Sequence, residues 1–353
     1  MRSFSCPTCG ALLFFENSEC LACGSVLGFD RATAGFVVLG ELSAGCPNRF
    51  VVSCNWLAGA GSGWCDCCAL TRARPNDHDG PGMAAWARAQ AAARRLLYQL
   101  DDLGLPVVGR TVDPVRGLAF DLLHSAGENV ITGHVDGVIT IDLAEGDDGH
   151  REALRVRLAE PYRTLLGHFR HEVGHWYWMR LIETSAALEP FRQLFGDERA
   201  DYGASLQAHY EGDPPLDWEQ HYVSVYATAH PWEDWAETFA HYLHIRDTLQ
   251  TAAAFGIVVT GPELETPPDP DAPLVAVPLE EPTGGFGALV DTWLPLTYAL
   301  NAVNRSMGKD DLYPFLLSPA VIEKLRFVHR LVSSTAAVPD RTPALATIFE
   351  EQS

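Results

Sequence analysis

The sequence predicts an α+β chain, mainly helical, with a small sheet at one edge and a cysteine-rich region in front. Three observations carry this. All nine cysteines lie between Cys6 and Cys68. Beyond residue 83, long stretches place apolar residues at helical period. The run 129–143 is rich in β-branched residues around a turn signal, the mark of a hairpin.

The front comes first. Cys6-Pro7-Thr8-Cys9-Gly10 and Cys20-Leu21-Ala22-Cys23-Gly24 form two C-x-x-C knuckles, each followed by the glycine that permits its turn. Four thiolates at this spacing suit one tetrahedral zinc ion, so Cys6, Cys9, Cys20 and Cys23 predict a structural site in a zinc ribbon. Residues 11–15 read as a short strand between the knuckles. A unit this small buries little and is held largely by its metal. Cys46, Cys54, Cys65 and Cys68 form the best second tetrad. Cys67 is then spare, because adjacent cysteines rarely both face one ion, and the choice between Cys67 and Cys68 stays open. The plainer alternative is a set of buried free thiols. Clustered cysteines read as metal ligands rather than disulfides in a reducing cytoplasm, where the chain is expected to reside.

Residues 72–82 are turn-rich and leave the ribbon region, giving a division at 1–75 and 76–353. Residues 83–103 read as a long helix, stopped by Gly104 and Pro106. The hairpin of 129–143 turns at Val135-Asp136-Gly137. Its edge could take up an extended peptide through main-chain hydrogen bonds, or serve structure alone.

The central stretch is His171-Glu172-Val173-Gly174-His175. Residues four apart on a helix stack, so both imidazoles face one way and suit a single zinc ion. Glu172 lies beside them, where a carboxylate can take a proton from water at the metal. Leu165, Leu166, Phe169, Val173, Trp176 and Tyr177 share the opposite arc, which predicts a buried face. Pro161 fits the first turn of this helix. Gly174, a weak helix former, would let a backbone or a substrate approach closely. A catalytic zinc normally takes three protein ligands.

Residues 231–244 supply a candidate for the third. Pro231 fits a helix start, and acidic residues fill the first turn as the helix dipole favours. Glu233 and Glu237 share one face, with Trp235, Phe239, Tyr242 and Leu243 opposite. In this reading Glu233 binds zinc and Glu237 holds the free ring N–H of a ligating histidine. The cofactors are then one catalytic zinc and one or two structural ones. Residues 260–282 form a Pro-rich exposed loop, 293–303 and 319–331 two more amphipathic helices, and 339–353 a fraying end.

Composition excludes some functions. The 353 residues carry 25 basic and 46 acidic side chains, a formal charge of −21. Nucleic acids and anionic membranes need basic surface, so neither is expected as a partner. The start of the chain shows no apolar signal region, and no run reaches the ~18 apolar residues of a membrane helix.

The helix pair resembles the gluzincin metallopeptidases, which join H-E-x-x-H to a later helix bearing E-x-x-x-E. In the anthrax lethal factor branch a tyrosine seven residues before the ligand glutamate stabilises the transition state, and Tyr226 stands seven before Glu233. More closely, nearly the whole chain is similar to bacterial zinc-binding metallopeptidases with an N-terminal zinc ribbon. The matching stretches are both cysteine clusters, residues 54–57, 132–134, 161–168, the 171–175 motif, Asp201-Tyr202 and 230–238. The cysteine doublet at 67–68 and the insert near 259–285 depart from the pattern. The resemblance implies a zincin-like domain hydrolysing peptide bonds of a peptide or protein substrate, with Glu172 and Tyr226 as catalytic residues. His168, His230 and His241 could approach the metal, and His230 could polarise an oxyanion from beside the ligands; the alternative for each is an ordinary structural role. Asp197, Glu198 and Asp201 read as a solvated loop or a cation site. The alternative is a silent zinc module in which the ribbon recruits a protein partner.

Overall fold

The computed structural model describes residues 2–40, 44–59, 63–125, 130–147, 163–260 and 285–336. The ribbon is made of β1 (Phe4–Ser5) paired with β2 (Leu12–Leu13), and β3 (Leu27–Asp30) paired with β4 (Gly35–Val38), both antiparallel. A single turn, α1 (Arg49–Val52), follows. Next come β5 (Thr71–Ala73) and α2 (Gly80–Asp102), the helix expected over 83–103. Asp79 caps α2 by accepting from Gly82 N–H at 2.9 Å.

The ribbon is not free-standing. Phe4, Phe15, Phe29 and Trp56 pack edge-on and tilted around one another, and the first three also reach Tyr98 of α2. Asn55, fully buried, donates to Phe15 O at 2.5 Å. Arg31 grips Asp101 of α2 with two hydrogen bonds of 2.6 Å. The ribbon thus borrows its core from the long helix, which a unit of its size requires.

The larger sheet runs β5-β6-β8-β7, with β6 at Ala119–Leu123, β7 at Gly133–Val135 and β8 at Val138–Asp142. The first three strands are parallel, and β7 is an antiparallel edge. The expected hairpin is β7–β8, turning at Asp136 and Gly137, both with positive φ (47° and 83°). Such angles match the strand twist and suit an Asp-Gly pair. Residue 129 lies outside the described residues. The stretch 72–82, expected as turn, begins as β5 and already pairs in this sheet ahead of residue 75. A three-residue strand whose partner lies more than forty-five positions on has no local periodicity to betray it.

The helices α3 (Leu165–Leu181), α4 (Leu188–Phe195), α5 (Tyr202–Glu211), α6 (Pro231–Ala254), α7 (Gly285–Ser306) and α8 (Pro319–Ala336) complete the described fold. The last two extend the expected spans 293–303 and 319–331. The Pro-rich stretch from 261 and the tail from 339 lie outside the described residues. Helix α3 starts at Leu165, and Pro161, expected in its first turn, lies outside the described residues. Thr164 is its cap, extended in backbone and accepting from Gly167 N–H at 3.0 Å. That side-chain acceptor satisfies an orphan donor of the first turn.

Helices α3 and α6 form the centre. Phe169, Val173, Trp176, Trp235, Phe239 and Leu243 are fully buried. Gly174 sits at the closest approach. A Cβ there would lie 3.2 Å from Ala236 Cα and 3.3 Å from its carbonyl oxygen. The missing side chain admits a backbone, and Trp235 Nε1 donates to Gly174 O at 2.8 Å across the same gap. No described helix is long and apolar enough to cross a membrane.

Candidate metal centre

Helix α3 presents His171 and His175 one turn apart, as its period requires. Helix α6 presents Glu233 in its first turn, where Pro231 and the cap residue His230 start the helix. Because Gly174 lets these helices touch, their polar atoms converge. His171 Nε2 lies 3.0 Å from Glu233 Oε2 and 3.2 Å from His175 Nε2. His175 Nε2 lies 3.4 Å from the same Glu233 oxygen. A tetrahedral zinc with bonds of about 2.0–2.1 Å holds such ligands about 3.3–3.4 Å apart. The donor set therefore fits zinc in both chemistry and span.

The support is equally specific. Glu237 accepts from His171 Nδ1 at 2.7 Å, and its other oxygen accepts from the Ser224 hydroxyl at 2.7 Å. This fixes the tautomer that leaves His171 Nε2 free to ligate. Tyr202 donates its hydroxyl to Glu233 Oε1 at 2.6 Å, leaving Oε2 facing the imidazoles. Trp232 packs its ring 4.0 Å from that of His175, and Tyr226 lies 5.8 Å from His171, ring to ring.

Burial pushes against charge everywhere in this cluster, yet the partners win. Burial opposes the His171 imidazolium, but Glu233 and Glu237 raise its pKa well above the usual range. Burial likewise opposes the Glu237 carboxylate, and His171 still holds it down to about 2. Glu233 is depressed further, by His175 and His171. Glu172 differs. It is buried, its Oε2 has no partner among the described residues, and burial lifts its pKa above the carboxylate range. An unpaired buried carboxylate next to a ligand set is a proton acceptor waiting for one. Burial, with Glu233 nearby, also raises Tyr226, which keeps its phenol protonated as a donor.

The two thiol groups are as compact. Sγ atoms of Cys6 and Cys23 lie 3.7 Å apart, those of Cys9 and Cys20 3.6 Å, and those of Cys54 and Cys65 3.6 Å. Zinc–sulfur bonds of about 2.3 Å set sulfurs about 3.8 Å apart in a tetrahedron. Cys46, Cys54, Cys65 and Cys68 make the second group, and Cys67 stands outside it. Fully buried, Cys67 has its thiol pushed up to about 12 by burial. No disulfide links any of the nine.

A family model described as "Putative zinc-binding metallo-peptidase" matches residues 82–331. The chain belongs to this family. A second model, described as a zinc-ribbon domain, matches residues 3–79. Proteins called "Uncharacterized protein" in two strains of Mycobacterium tuberculosis and in Mycobacterium bovis are 52% identical over 350 residues, covering 98% of each chain. No solved structure matches the chain.

Several expected site residues stand elsewhere in the structure. His230 does not face the ligands. Its Nδ1 accepts from Trp232 N–H at 3.1 Å as the cap of α6, and its Nε2 donates to Ala200 O at 3.1 Å. The imidazole is consumed by starting the helix that carries Glu233. His168 turns to Glu145, with Nδ1 2.6 Å from Oε2, and His241 shares a hydrogen bond of 2.8 Å with Tyr313. Asp201 caps α5, while Asp197 and Glu198 pair with Arg199 and Arg192. The cluster also holds a residue whose role was not foreseen, Tyr202. Thirty-one positions separate it from Glu233, and no spacing rule joins them; the sequence marked it only within the matching stretch Asp201-Tyr202, without a role.

Proposed function

We propose that this metallo-peptidase hydrolyses peptide bonds, with His171, His175 and Glu233 as the ligands of one zinc and Glu172 as general base. The observation that carries the reading is the convergence of three ligand atoms within 3.4 Å beside a buried, unpaired carboxylate. When bound there, zinc supplies a Lewis acid that polarises the peptide carbonyl and acidifies water. Glu172 takes the proton of the attacking water and passes it to the departing amine, a task its raised pKa suits. Tyr226 donates its hydroxyl to the oxygen that gains charge. Strand β7, the edge of its sheet among the described residues, is where an extended substrate aligns through main-chain hydrogen bonds. Both four-cysteine groups hold structural zinc and fix the ribbon on α2.

Glu172→Gln tests the assignment. The variant keeps three zinc ions per chain by elemental analysis and loses peptide hydrolysis by about 10²–10⁴-fold. Turnover of a peptide library at the wild-type rate would overturn the role of Glu172.

A further inference from the structure

The centre is largely closed off, with His171 half-buried. Glu233 is 1% exposed, His175 3% and Glu172 6%. A peptide needs all three within reach, so some element over them has to move. One described helix is held differently from the others. Helix α5 buries none of its residues, and the loop after it is exposed through Leu216. Its half-buried stripe is Ser205, Leu206 and His209, in line with Tyr202 at helical spacing.

Both ends of that stripe rest on the site. Tyr202 bonds Glu233 and packs its ring against Trp232, which covers His175. Seven residues on, about 10 Å along the helix, His209 Nδ1 meets the Thr228 hydroxyl at 3.3 Å, and its ring lies 5.8 Å from Tyr226. Few buried contacts mean low local stability, the property from which lids are drawn.

We propose that α5 is a lid over the metal centre, latched by Tyr202 on Glu233 and by His209 beside Tyr226. Opening frees the cleft, and closing returns the Tyr202 hydroxyl to the ligand carboxylate. The inference rests on the metallopeptidase reading, because only a site that admits a chain needs such a gate.

Amide hydrogen exchange and zinc kinetics test it on the full-length protein. Amides of 202–211 exchange faster than those of α3 and α6, and slow when N-acetyl-leucyl-alanyl hydroxamate binds the zinc-loaded protein. His209→Ala leaves the ligands untouched and loosens one latch. It speeds both zinc uptake and zinc release to a chelator by about five- to tenfold, with the equilibrium constant unchanged. Tyr202→Phe speeds uptake as well as release, whereas a tyrosine that merely positions Glu233 would change release alone. Amides of 202–211 as protected as those of α3, with unaltered zinc rates in His209→Ala, overturn the lid and leave the peptidase reading standing. A wild-type protein that takes up no third zinc overturns both.

Discussion

Gly174→Ala sets two effects of known size against each other. In an isolated helix the change is favourable by about 1 kcal/mol, since alanine is the better helix former. Here the added Cβ meets Ala236 Cα at 3.2 Å, Ala236 O at 3.3 Å and Phe239 Cβ at 3.3 Å. Carbon atoms pack at about 3.5–4.0 Å, so α3 and α6 must part by roughly 0.3–0.6 Å. Two of the three contacts are backbone and have no rotamer to yield. Over-packing of this kind costs about 1–3 kcal/mol, leaving a net loss of about 0–2 kcal/mol. The shift falls on the metal centre, because Glu233 lies one turn before Ala236. The 3.0 Å approach of His171 to Glu233 lengthens, and the Trp235 bond to Gly174 O weakens. Zinc affinity at this site drops about tenfold or more, as for loss of a supporting group. Thermal unfolding and chelator competition measure the two quantities. An alanine variant that melts higher and binds zinc as tightly as wild type would refute the claim that close helix approach builds the site.

Three further outcomes follow from the geometry. Glu237→Ala strips His171 of its supporting carboxylate and lowers zinc affinity at the histidine site about 10–100-fold, leaving the ribbon zincs in place by elemental analysis. Cys67→Ser keeps the full zinc complement, whereas Cys65→Ser loses one ion per chain, because the Cys67 thiol stands outside the second group. Glu145 is buried, which opposes its charge, but His168 and Arg163 hold its pKa down to about 2. A depressed carboxylate contributes stability that is full above its unfolded value, near 4.5, and is lost as pH falls toward about 2. Glu145→Gln is therefore less stable than wild type at pH 6. The gap narrows between pH 4.5 and 2.5 in paired denaturant titrations; a constant gap would remove the ion pair from the account.

The candidate ligand residues could be named from the chain because the spacing within each pair is a local property. Two histidines four apart need only a helix to face one ion, and Glu233 and Glu237 need only a helix to share a face, one toward the ligand atoms and the other toward His171 Nδ1. The cysteine knuckles carry their own turns. Long helices repeat apolar residues often enough to declare themselves, and Asp136-Gly137 announces a turn by its tolerance of positive φ. Other features depended on partners far along the chain. Strand β5 exists because β6 lies beside it, and α5 is too sparsely buried to leave an apolar stripe of usual strength.

Sequence by itself determined which side chains could hold zinc, since ligand chemistry and helical period are properties of short segments. Tertiary structure alone decided how each remaining polar group was employed. His230, His168 and His241 are the same imidazole as His171, but a cap, a buried glutamate and a tyrosine claim them first. Tyr202, given no role by the sequence, reaches Glu233 because the chain returns to the metal helix after thirty residues. Hydrogen-bonding capacity is written in residue type; the partner that satisfies it is chosen by what the packed helices bring within 3 Å.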